Sequence, residues 1–349
     1  TLTVTNTNGC TASATTVVTI NTNPVPNPSS DSPKCVGTTL TFNSVAAMTS
    51  YAWTGPNSFS SNIQAPSINN VTTAANGTYT LTVTNANGCT ASATTAVTIN
   101  ANPVPNPSSD SPKCVGTTLT FNSVAAMTSY AWTGPNSFSS SIQAPSISSV
   151  TTAASGTYTL TVTNANGCTA SATTAVTINA NPVPNPSSDS PKCIGTTLTF
   201  NSVAAMTSYA WTGPNSFSSS IQAPSINNVT TAANGTYTLT VLNANGCTAS
   251  ATTAVTINAN PVPNPSSDSP KCVGTTLTFN SVAAMTSYAW TGPNSFSSSI
   301  QAPSISSVTT AANGTYTLTV TNANGCTASA TTAVTINANP VPNPSSDSP

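Results

Sequence analysis

Cysteines recur at Cys10, Cys89, Cys168, Cys247 and Cys326, and in a second series at Cys35, Cys114, Cys193 and Cys272, each series with a spacing of 79 residues. A fixed period of this kind is the signature of a tandem array, in which one structural unit is repeated along the chain. Four complete copies run 23–101, 102–180, 181–259 and 260–338. Residues 1–22 correspond to the C-terminal part of a preceding copy and 339–349 to the start of a following one. The chain therefore reads as a window on a longer protein, with any export signal or anchor outside it.

Copies one and two differ only at Asn62/Ser141, Asn69/Ser148, Asn70/Ser149 and Asn76/Ser155, and copy three adds Ile194 for Val and Leu242 for Thr. Near-identical neighbours point to recent duplication of a part whose number matters more than its individual chemistry.

Within copy one, Thr38 to Asn43, Thr78 to Thr84 and Thr94 to Ile99 alternate polar and apolar residues with period two and are rich in β-branched side chains. This is the pattern of half-buried strands. The Ala-containing stretch Val45 to Met48 is too short for a helix. Gly55-Pro56-Asn57, Asn76-Gly77 and Asn87-Gly88 are turn signals. About seven short strands per 79 residues predict an all-β array of antiparallel two-sheet sandwiches. The candidate core of copy one is Leu40, Phe42, Trp53, Ile68, Val71, Tyr79, Leu81, Val83, Val97 and Ile99. Trp53 and Tyr79 are read as core packing rather than ligand stacking, and Phe59 as a loop aromatic that folds back onto the sandwich.

These residues resemble the immunoglobulin-like superfamily. Gly37 to Phe42 looks like strand B, Tyr51-Ala52-Trp53 like strand C with its core Trp, and Ile68 to Val71 followed by Gly77 to Leu81 like strands E and F. Tyr79 then occupies the tyrosine-corner position. Phe42 and Leu81 stand where antibody-type domains carry an inter-sheet cystine, so packing alone closes the core, and Ala75 replaces the usual acidic residue before the corner. A Cys just before strand B and an Asn-Gly-Cys at the F–G turn are similar to the Ig-like and PKD-like repeats of very large Bacteroidota surface proteins, including gliding-motility adhesins exported by type IX secretion. The resemblance implies an extracellular or cell-surface location and a part in adhesion.

In that strand order, B and F run the same way with Phe42 facing Leu81. Cys35 then lies about 23 Å towards one end of the sandwich, at ~3.3 Å per residue, and Cys89, opposite Ala86 across a two-residue Asn87-Gly88 turn, about 17 Å towards the other. The resulting separation of about 40 Å is far beyond the reach of a disulfide. Bonds between domains are therefore predicted, Cys35–Cys168, Cys114–Cys247 and Cys193–Cys326, with Cys10, Cys89 and Cys272 pairing to copies outside this window. An intradomain Cys35–Cys89 bond on a different topology and free or interchain thiols are the alternatives. A disulfide framework implies an oxidising compartment.

The junction Asn21-Thr22-Asn23-Pro24 is short, and Val25-Pro26-Asn27-Pro28 reads as a proline-rich first strand whose edge resists further pairing. No Gly/Ser linker is present.

Only 3% of residues are charged, with 4 Lys+Arg, 5 Asp+Glu and no His. Each complete copy carries one Asp and one Lys, Asp31 and Lys34 in copy one, which read as a solvated pair. Acid–base, triad and metal-assisted catalysis lack their residues, and one carboxylate per junction cannot build a calcium site. No enzyme, cofactor or metal is expected. A net charge of −1 without a basic run gives nothing to neutralise phosphates, so no nucleic-acid partner is expected, and no apolar stretch approaches the ~18 residues of a membrane span.

Asn70-Val71-Thr72 and Asn76-Gly77-Thr78 fit the N-glycosylation pattern, but copy two has Ser149 and Ser155 in place of the Asn. The expected partners are neighbouring repeats of the same chain, laterally associated rods, and glycans or surfaces. The functional expectation is a structural stalk or filament segment of a large surface adhesin. The alternative is an array of weak glycan- or surface-binding modules acting by avidity.

Overall fold

The computed structural model describes residues 1–344; the rest of the 339–349 segment lies outside the described residues. The chain divides into two compact units, residues 1–179 and 180–349, each built around two separate hydrophobic cores.

The first unit opens with a hairpin, β1 (Leu2–Thr5) and β2 (Thr11–Ala14). Copy one follows with β3 (Ser29–Ser30), β4 (Lys34–Cys35), β5 (Leu40–Asn43), β6 (Ser50–Gly55), β7 (Phe59–Ser61), β8 (Ser67–Ile68), β9 (Gly77–Thr84), β10 (Thr90–Val97) and β11 (Ile99–Asn100). Strands β3, β5 and β8 form one antiparallel sheet and β10, β9, β6 and β7 the other. This is the A-B-E and G-F-C-C′ order of an immunoglobulin-like sandwich. The other three copies repeat it at intervals of 79 residues.

Leu40 and Phe42 alternate inward from β5, as do Tyr79, Leu81 and Val83 from β9, so the period-two pattern becomes a core between the sheets. Trp53, Val71, Val97 and Ile99 complete it, together with Ala75. Ile68 packs against this core but stays half-buried, because β8 lasts only two residues before Asn70 turns into the left-handed region at φ 51°. The resemblance to an immunoglobulin strand E implies a strand from Ile68 to Val71, which the structure shortens to Ser67–Ile68.

Four aromatic rings fill the centre. Phe42 lies 4.6 Å from Tyr79, 5.1 Å from Trp53 and 5.6 Å from Phe59, centroid to centroid. Each such pair adds about 0.5–1.5 kcal/mol beyond its area burial. Phe59 thus folds back onto the sandwich. The Tyr79 hydroxyl donates to the Ala75 carbonyl at 3.0 Å, across a 3₁₀ turn over Thr73–Ala75. The indole N–H of Trp53 is buried without a partner among the described residues, so apolar packing alone holds that ring.

Two local expectations are corrected. Val25 to Pro28 is not a strand; Val25 is exposed, Asn27 takes φ 43°, and pairing begins at Ser29. Proline supplies no N–H for a ladder, so this segment runs alongside the sheet before joining it. The F–G turn is a three-residue loop rather than two. Gly88 N–H donates to the Asn85 carbonyl and Asn85 N–H to the Cys89 carbonyl, so Cys89 stands opposite Asn85, not Ala86. Gly88, at φ 79°, takes the left-handed position that closes a type I turn in such a loop.

Candidate functional site: the tied junction between copies

The junction is built from the last strand of one copy, its early cysteine strand, and the F–G turn of the next copy. At Thr98 the last strand changes partner. Thr98 N–H donates to the Ser32 hydroxyl at 2.7 Å, and its carbonyl accepts Lys34 N–H at 3.1 Å. Beyond this point β11 pairs in parallel with β4, Ile99 beside Lys34 and Asn100 beside Cys35. Cys35, near the start of its copy in sequence, therefore stands at that copy's end in space. Asn102, the first residue of copy two, donates from its side chain to the Val36 carbonyl at 3.1 Å.

From the other side comes the F–G turn of copy two. The Asn164 side-chain oxygen accepts the backbone N–H groups of Asn166 and Cys168, both at 3.0 Å, while its amide donates to the Ala101 carbonyl at 3.0 Å. One side chain thus shapes the loop and fastens it to the end of copy one. Cys168, held on that loop and 1% exposed, forms a disulfide with Cys35 at a Cα–Cα distance of 5.6 Å. The second unit contains the equivalent Cys193–Cys326 bond, also at 5.6 Å. In the structure Cys35 pairs with Cys168 of the next copy, and Cys89 of its own copy is free. Cys10, Cys89 and Cys272 are free thiols, Cys10 and Cys272 exposed and Cys89 half-buried. At the entry to copy one, Asn85 donates to the Thr22 carbonyl at 3.1 Å, as Asn164 does to Ala101.

Beside the cysteine strand, Lys34 Nζ lies 2.8 Å from Asp31 Oδ2, and Asp31 Oδ1 accepts Thr41 N–H at 2.9 Å. Partial burial pushes the Asp31 carboxyl up, but the Lys34 and Thr41 hydrogen bonds outweigh it and hold the group below its ordinary value. Its counterparts Asp110 and Asp268 are lowered to about 2. The pair fastens β4 to β5 and leaves no carboxylate over for a cation. Among the described residues no three His, Cys, Asp or Glu side chains cluster as metal ligands.

The side chain of Asn76, read in sequence as a loop position, bonds to both the N–H and the carbonyl of Ile99. Ser155 makes the same two contacts with Ile178 in copy two, at 2.8 and 3.5 Å. The exchange of Asn for Ser at this position thus preserves a fastening of the last strand. Its long range in sequence hid it, as it hid the bond from Asn164 to Ala101.

No family model matches the chain, and no curated protein matches it. Among solved structures, the eight N-terminal Ig domains of Down syndrome cell adhesion molecule isoform 1.30.30 match with TM-score 0.31 and 17% identity over 96% of this chain, which spans 50% of that segment's length. Three N-terminal domains of the highly immunogenic outer capsid protein of bacteriophage RB49 match with TM-score 0.32 and 13% identity, covering 67% of this chain and 99% of that one. Immunoglobulin domains 1–5 of Sidekick-1 match with TM-score 0.22 and 13% identity, covering 88% and 78%. The fold assignment itself rests on the sheet order of each copy.

Proposed function

We propose that this chain is a segment of an extracellular structural stalk or filament belonging to a very large surface adhesin, with the 79-residue copies 23–101, 102–180, 181–259 and 260–338 as its domains. The observation that carries this reading is the disulfide between successive copies, Cys35–Cys168, repeated as Cys193–Cys326. A cystine spanning 133 residues ties neighbours to each other rather than closing one core. Disulfides of this kind persist in oxidising surroundings, which supports an extracellular setting. The period extends the scheme to Cys114–Cys247, and gives Cys10, Cys89 and Cys272 partners in further copies. The residue pattern that resembles Bacteroidota gliding-motility repeats supports a Bacteroidota adhesin as the parent protein.

Short junctions, Asn-mediated fastening and a covalent tie turn a string of domains into a stiff rod. Electron microscopy of the negatively stained, oxidised chain tests this. Straight or evenly curved particles are expected, and freely jointed beads would reject the rod.

The glycan-binding alternative is weakened by one observation. Every aromatic side chain of the four copies is buried or half-buried, so none stands out as a fully exposed platform for a sugar. A glycan array that detected specific binding would reinstate it.

Lateral association with a second copy of the chain has a structural basis in β10. This eight-residue strand is the edge of its sheet, pairs only with β9 among the described residues, and contains neither charge nor proline. Such devices are what normally keep an edge from accepting another strand.

A further inference from the structure

We propose that the disulfides carry tension past the sandwich cores, so that a pulled chain is held by its terminal strands while the remaining strands lie on closed rings outside the force path. The inference draws its biological meaning from the stalk reading, but the physical property stands apart from it.

The basis is the direction in which each segment runs. The F–G turn of copy one lies at its entry, where Asn85 reaches Thr22. Cys35 lies at its exit, where β4 pairs with β11 and Val36 accepts from Asn102. Residues 23–35 therefore traverse the whole sandwich from entry to exit. In copy two, the last strand starts beside Cys168 at the entry and ends at Asn179 beside Cys114, at the exit. Tension entering copy one can pass down residues 23–35, cross the Cys35–Cys168 bond, and continue down residues 168–179. Residues 36–167, with most of both cores, sit on a ring that the bond closes. Cys193–Cys326 closes an equivalent ring over residues 194–325 in the second unit.

The covalent path between the two ends thus contains residues 1–35, 168–193 and 326–349, which is 85 of the 349 residues. Any additional bond can only shorten it. At ~3.3–3.6 Å per residue, the oxidised chain can extend to about 30 nm and the reduced chain to about 120 nm. The cores could open under load without the chain lengthening by their contour.

Single-molecule stretching of the full chain, held at its two termini with and without reductant, tests the proposal, alongside non-reducing peptide mapping of the same material. The expected result is a limit near 30 nm for the oxidised chain, lengthening to about 120 nm on reduction. Cys35→Ser should lengthen the oxidised limit by on the order of 40 nm, because it returns most of the first ring to the path. An oxidised chain that reaches about 120 nm, a Cys35→Ser variant with an unchanged limit, or a map lacking the Cys35–Cys168 peptide would each overturn it. Imaging that showed jointed beads would reject the rod without altering the extension limit, so the two failures are distinguishable.

Discussion

Gly55 lies directly under the ring of Tyr79, so close that a Cβ at position 55 would stand 2.3 Å from Tyr79 Cδ1. The ring has nowhere to go. It is fully buried, packs 4.6 Å from Phe42 and 5.4 Å from Phe59, and is fastened through its hydroxyl to Ala75. Gly55→Ala, made together with Gly134→Ala, Gly213→Ala and Gly292→Ala, should cost about 1–3 kcal/mol per copy or more, as overpacking of a filled core does. Thermal unfolding would show this as a fall in Tm of roughly 10 °C. An unchanged Tm would mean that the ring is not locked.

The sequence disclosed Gly55 as part of a turn but not as the floor under Tyr79, because that contact depends on how β6 and β9 align across the sheet. The same limit applies elsewhere. Alternation revealed β5, β9 and their inward residues, since period-two burial is written in consecutive positions. The immunoglobulin-like resemblance, not alternation, extends β8 to Val71, and a single left-handed Asn70 ends that strand early. At the junction, the assumed strand order sets Cys35 and Cys89 at opposite ends of one copy, but spacing alone leaves the pairing of the cysteines open. The Asn164, Asn102 and Ser32 contacts that shape the junction link residues 63–66 apart, and no local pattern marks them.

The β6–β7 hairpin turns through Asn57 and Ser58 at φ 57° and 58°, with Phe59 N–H donating to the Pro56 carbonyl. Gly55 pairs with Phe59, so Pro56, Asn57 and Ser58 form a three-residue loop whose last two residues both take the left-handed region, where glycine is preferred. Serine in the last position bears a steric cost that glycine avoids. Ser58→Gly, with Ser137→Gly, Ser216→Gly and Ser295→Gly, should therefore stabilise each copy by about 0.5–1 kcal/mol. Denaturant midpoints that shift downward would count against this turn geometry.

Asn164 combines a loop cap with an interdomain bond. Asn164→Ala leaves the N–H groups of Asn166 and Cys168 and the carbonyl of Ala101 without their side-chain partner. A loss of about 1–2 kcal/mol is expected in copy two. Because the loop presents Cys168, the Cys35–Cys168 bond should also re-form more slowly after reduction. Quenched reoxidation followed by peptide mapping would measure this, and an unaltered rate would mean that the loop is positioned without Asn164.

Asp110 and Asp268 have carboxyls lowered from the ordinary 3.8 to about 2. For Asp268 the Thr278 backbone hydrogen bond is the largest cause; for Asp110 burial opposes the shift and the Lys113 and Thr120 bonds overcome it. A folded value below the unfolded one means that the ionised group stabilises the fold. That contribution is complete above about pH 5 and is lost progressively as pH falls below the unfolded value and through the folded one, towards about pH 1. These carboxylates are more than a third exposed, so solvent screening keeps the effect small. Stability should decline modestly across this window in the native chain and stay flat when all four Asp–Lys pairs are replaced by Asn and Gln. A decline centred near pH 6 would point to other groups.

The uncharged β10 edge leads to a prediction about assembly. Thr94 is exposed in the middle of that strand, and its counterparts Thr173, Thr252 and Thr331 repeat the position along the chain. With a net charge of −1 over 349 residues, electrostatic repulsion does little to keep two chains apart. Several weak edge contacts on one chain would act together by avidity. Lysine at an edge opposes such pairing by repulsion and by the cost of desolvating its ammonium. Sedimentation of the oxidised chain over a range of concentrations should detect association in the native protein, and Thr→Lys at all four positions should abolish it while leaving Tm nearly unchanged. Association that survives the four lysines would place the contact on another surface, and a native chain that stays monomeric throughout would remove lateral packing from its function.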